Sequence, residues 1–68
     1  MTFKITINYK DKEKVDNFIK IPLNSKIIVN KIENEYIISL SDDLNTHLYS
    51  FKESEVEEYN PFSIERIN

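Results

Sequence analysis

A chain of 68 residues, 40% hydrophobic and 31% charged with a net charge of −3, has the composition of one small soluble domain spanning 1–68. No cysteine is present, so disulfides and thiolate-bound metals are excluded. So short a chain buries only about 60% of its unfolded surface, so the core suffices alone or a partner subunit extends it, which leaves room for weak homo-oligomerisation.

Residues Thr2 to Tyr9 alternate strictly, with Phe3, Ile5, Ile7 and Tyr9 on one side, and predict a half-buried strand. After the polar KDKE turn, Lys14 to Ile21 carries two conflicting periods. Val15, Phe18 and Ile19 have helical spacing, whereas Ile19, Ile21 and Leu23 have that of a strand. A helix there would have about two turns and would run into Pro22, so the strand is preferred. Three consecutive β-branched residues, Ile27, Ile28 and Val29, make Lys26 to Ile32 the next strand. Glu33, Asn34 and Glu35 form a hairpin loop in which Asn34 is the natural left-handed residue, since the chain has no glycine. Tyr36, Ile38 and Leu40 share a face of the following strand. Ser41 to Asn45 turn, with Asn45 a second left-handed candidate, and Thr46 to Lys52 return. Ser54 and Glu57 have capping-box spacing before Asn60-Pro61, which predicts a short helix or 3-10 turn near residues 54–59. Phe62 and Ile64 open a last short strand.

The order strand, loop, IPLNSKIIVNKI, hairpin, YIISL, turn, HLYSF, ESEVEEY turn and last strand resembles that of a small SH3-like barrel. The expected fold is all-β, a five- to six-stranded SH3-like barrel or curled meander; the alternative is an α+β domain with a helix at residues 12–20. The tryptophan of peptide-binding SH3 domains is absent, so proline-rich peptide recognition does not follow from the resemblance.

Without glycine, phosphate-cradling loops and nucleophile elbows are excluded in their usual forms. His47 is the single histidine, which rules out a two-histidine metal site within the chain. His47 with Asp42 or Asp43 and a serine among Ser39, Ser41 and Ser50 supplies the residue types of a hydrolytic site, but nothing in the spacing fixes their geometry. A half-exposed strand histidine is the simpler reading. Asp42-Asp43 lacks the ligand and glycine pattern of a calcium loop, which leaves a solvated turn. Neither cofactor, metal nor catalytic residue is expected.

Charge is unevenly ordered. Residues 1–32 carry seven lysines against Asp11, Glu13 and Asp16, a net of +4, whereas residues 33–68 carry a net of −7. Such a split can mark two interaction faces. Glu53, Glu55, Glu57, Glu58 and Glu65, with Tyr59, form the candidate interaction surface. The expected function is a non-enzymatic protein-binding module. An alternative is a phage or mobile-element inhibitor whose carboxylates imitate nucleic-acid phosphates and block a basic channel on a host enzyme. A third is direct nucleic-acid binding by the lysine-rich half, with Tyr36, Tyr49 and Phe51 as a stacking platform rimmed by Lys26, Lys31 and Lys52, although the net charge opposes it. The 11 Ile, 8 Lys and 8 Asn against a single Arg favour A/T-rich codons and point to an AT-rich bacterial or phage genome. No apolar run reaches the ~20 residues of a membrane span, and the cytoplasm is the expected location.

Overall fold

The alternation at the N-terminus becomes the middle strand of a sheet, because its apolar side must be covered while its backbone pairs on both edges. The computed structural model describes residues 1–41 and 44–68, and within them the chain forms six strands: β1 (Thr2–Ile7), β2 (Val15–Lys20), β3 (Lys26–Ile32), β4 (Glu35–Ser41), β5 (Thr46–Lys52) and β6 (Phe62–Arg66). They build two antiparallel three-stranded sheets, ordered β2-β1-β6 and β3-β4-β5. Among the described residues a single 3-10 turn, Glu53–Glu55, lies between β5 and β6.

The fold is therefore all-β, and the helix considered for residues 12–20 does not form. Ile19 lies opposite Phe3 and is buried, as is Ile21, whereas Phe18 on the would-be helical stripe is 63% exposed. The two-residue period prevails because pairing with β1 satisfies the backbone that a two-turn helix ahead of Pro22 would leave open. Nor is the barrel closed. Among the described residues no strand pairing joins the two sheets, which are linked by one isolated bridge, Tyr9 to Val56. Pro22, which has no N–H to donate, lies in the turn between β2 and β3, where Ser25 bonds back to the Pro22 carbonyl. That turn ends β2 before it can continue into the second sheet.

The core lies between the sheets. Phe3, Ile5, Ile7, Ile19 and Ile21 come from the first sheet and its flank, Ile38, Leu40 and Phe51 from the second, and Val56 closes one end. Tyr36 stacks on Phe51 with ring centroids 5.4 Å apart, and Phe62 meets both rings edge-on from the opposite sheet. Such contacts contribute about 0.5–1.5 kcal/mol beyond the area they bury.

Three local expectations are corrected. The β3–β4 loop has two residues, Glu33 and Asn34, because Ile32 pairs with Glu35, and the positive φ of 55° belongs to Glu33 rather than Asn34. Asn45 does not have positive φ either. Ser54 is not an N-cap: the 3-10 turn begins one residue earlier, follows Lys52, and has no side-chain cap. A turn of three residues has too few free N–H groups for a capping box to form.

Candidate functional site

The acidic residues fall into three settings. Glu53 and Glu55 are in the 3-10 turn, Glu57 and Glu58 follow it in irregular backbone with Tyr59 next, and Glu65 is on β6. Glu53 Oε1 accepts a hydrogen bond from Lys31 Nζ at 2.7 Å, and the same ammonium lies 5.5 Å above the Tyr36 ring. The bond to Glu53 is the main cause holding the Lys31 pKa above its ordinary 10.5. Glu65 lies 3.6 Å from Lys4, its direct cross-strand partner on β1. Folding thus interleaves the lysine-rich and glutamate-rich halves, and the division into one basic and one acidic face does not survive. Glu55, Glu57 and Glu58 remain exposed without an ion pair among the described residues, and Tyr59 is 95% exposed.

This exposed turn is held firmly. The Lys10 N–H donates to the Glu55 carbonyl and the Glu57 N–H to the Asn8 carbonyl, both at 2.9 Å. Asn8 also donates through its backbone to Pro61 at 2.9 Å and through Nδ2 to the Asn60 carbonyl at 2.7 Å. The Glu53 N–H reaches the Asn34 carbonyl in the β3–β4 loop at 2.8 Å. Between these anchors opens a cleft of about 360 Å³ with Tyr36 and Val56 among its lining and Lys10, Asn34, Glu57 and Glu58 around them. Sequence reasoning missed Asn8, Lys10 and Asn34. Their partners lie 19 to 53 positions away for the bonds named here, and no local pattern announces contacts of that separation.

Other candidates are dispersed. His47 is exposed on β5 opposite Leu40, on the face of the sheet that carries Ile38, whereas Ser39, Ser41 and Ser50 alternate onto the other face. Asp42 and Asp43 lie outside the described residues. The aromatic platform is not assembled: Tyr36 and Phe51 stack on each other within the core, and register places Lys26 and Lys52 on the opposite face. Among the described residues no group of three or more His, Cys, Asp or Glu could hold a metal ion, and no helix is long and apolar enough to cross a membrane. No protein-family model, curated protein sequence or solved structure matches the chain.

Proposed function

We propose that the protein is a small non-enzymatic module that binds another protein through the turn at residues 53–59 and the cleft beside it. One observation carries this reading: Tyr59 stands almost wholly in solvent beside Glu57 and Glu58, on a segment tied down by backbone bonds to Asn8, Lys10 and Asn34. Because the backbone that presents the ring is already ordered, binding need not order that segment, and tyrosines are frequent anchors of interfaces. An SH3-like assignment is supported by β6 returning antiparallel to β1 after a 3-10 turn that follows the β3-β4-β5 meander. The inhibitor reading draws on the same turn, since Glu55, Glu57 and Glu58 are three carboxylates with no ion pair among the described residues, on a held backbone, and such binding would weaken steeply with salt.

The test is to recover partners on the immobilised protein and compare the parent with Tyr59→Ala and with the double variant Glu57→Gln, Glu58→Gln. Loss of an aromatic anchor is expected to weaken a specific partner by about tenfold or more. A salt-dependent loss confined to the double variant would favour the inhibitor. A partner retained equally by all three proteins would place the interface elsewhere.

A further inference from the structure

We infer that two copies of the chain associate through β3, pairing antiparallel about a twofold axis at Val29 to give a continuous six-stranded sheet. This stands independently of the turn at residues 53–59. β3 is the terminal strand of its sheet, and all seven of its residues are exposed, among them Ile27, Ile28, Val29 and Ile32. An open edge lined by apolar side chains on both faces is a template for another strand.

Hydrogen-bond phase selects the partner. The two-residue loop makes Ile32 and Glu35 a hydrogen-bonded pair, so by alternation Ile28 and Asn30 also bond to β4, while Ile27, Val29 and Lys31 point their N–H and C=O groups to the free edge. A seven-residue strand paired with its own copy over its full length has its centre at Val29. The residues brought into hydrogen-bonded pairs are then Val29 with Val29 and Ile27 with Lys31, the same ones whose backbone groups are open. Face is conserved too, since each pair in this register joins residues of equal parity.

Charge fits the same register. Each lysine of β3 lies opposite an isoleucine, Lys26 against Ile32 and Lys31 against Ile27, whereas in-register parallel stacking would set lysine on lysine. On the face opposite Ile38 and Leu40 the row continues from Lys26 of one copy across Ile32 to Glu35 of the other, two strand spacings or about 10 Å, within reach of the two side chains. The two ion pairs among the described residues involve neither Lys26 nor Glu35, and Glu35, which lies directly opposite Lys52 on β5, would then sit between two lysines. Area agrees. The chain exposes 5046 Å², against about 4,500 Å² for a monomer of its mass, an excess comparable in scale with the ~800 Å² that one partner contributes to a standard interface.

Sedimentation equilibrium of the full chain tests this, with Val29→Lys and Val29→Glu alone and mixed. The parent should pass from one-chain to two-chain mass as concentration rises, each variant alone should stay at one-chain mass, and their equimolar mixture should recover the two-chain mass. The inference is overturned if the parent stays monomeric up to ~1 mM, if Val29→Lys dimerises like the parent, or if the mixture stays monomeric. Should either variant lose its circular dichroism spectrum, nuclear Overhauser contacts between Ile27 and Lys31 of differently labelled parent copies decide. Their presence supports the pairing, and their absence from a dimeric sample overturns it.

Discussion

Glu33 occupies a backbone region that an L-residue enters at a cost of about 1–2 kcal/mol. The strain is imposed from outside the loop. Ile27 must lie opposite Leu40 and Val29 opposite Ile38, and that register leaves Glu33 as the first of two loop residues, where type II′ hairpins ordinarily carry glycine. Glu33→Gly should therefore stabilise the protein by about 0.5–1 kcal/mol, because relief of the Cβ clash exceeds the added freedom of the unfolded chain. A lower urea midpoint for the variant would refute this. The sequence suggested Asn34 because asparagine tolerates the left-handed region, and that preference is real. Core register outranks it by fixing which positions become the loop.

At the scale of elements, the alternation of Phe3, Ile5 and Ile7, the β-branched run of β3 and the polar breaks between runs were enough to place all six strands. These signals are local, and at β2, where two periods conflict, Pro22 decided for the strand. The tethering of the 53–61 segment was not legible, because it depends on Asn8, whose polar place in the alternation reads as solvent-facing although the residue is buried. Asn8 supplies two donors and one acceptor to that segment, while its Oδ1 is buried without a partner among the described residues. Asn8→Asp would set a carboxylate against the Asn60 carbonyl and bury a charge with no counter-ion. It should cost about 3–5 kcal/mol at neutral pH. Because the protonated acid can again donate to Asn60, the loss should shrink as pH falls through the raised pKa of the new carboxyl. Melting curves against pH check both parts, and a variant as stable as the parent at neutral pH would show that Asn8 does not anchor the turn.

The molecule as a whole is a thin slab, 34 × 24 × 15 Å, with a radius of gyration of 12.2 Å where about 11 Å is usual for its length. Two three-stranded layers leave little interior, so modest shifts in side-chain ionisation bear on total stability. Burial raises the Tyr49 pKa above its ordinary 10.0, and the bond to Glu53 raises that of Lys31 above 10.5. Both groups hold their protons more tightly when folded, so the stability they contribute is complete below their unfolded pKa values and is lost as pH rises through the folded ones. The melting temperature should therefore fall above about pH 10, and Tyr49→Phe should fall less over that interval. Parallel curves for parent and variant would show that Tyr49 does not titrate with unfolding.

The meeting of Tyr36, Phe51 and Phe62 gives the protein an optical property of its own. With no tryptophan to dominate the near-ultraviolet, its dichroism there comes chiefly from tyrosine, and Tyr36 is held in a fixed asymmetric setting by a ring from each layer. A solvent-exposed ring such as Tyr59 has no comparable setting. Loss of near-ultraviolet dichroism with the far-ultraviolet spectrum intact would mark the layers parting while each sheet persists, so the seam between the sheets can be followed without any attached label.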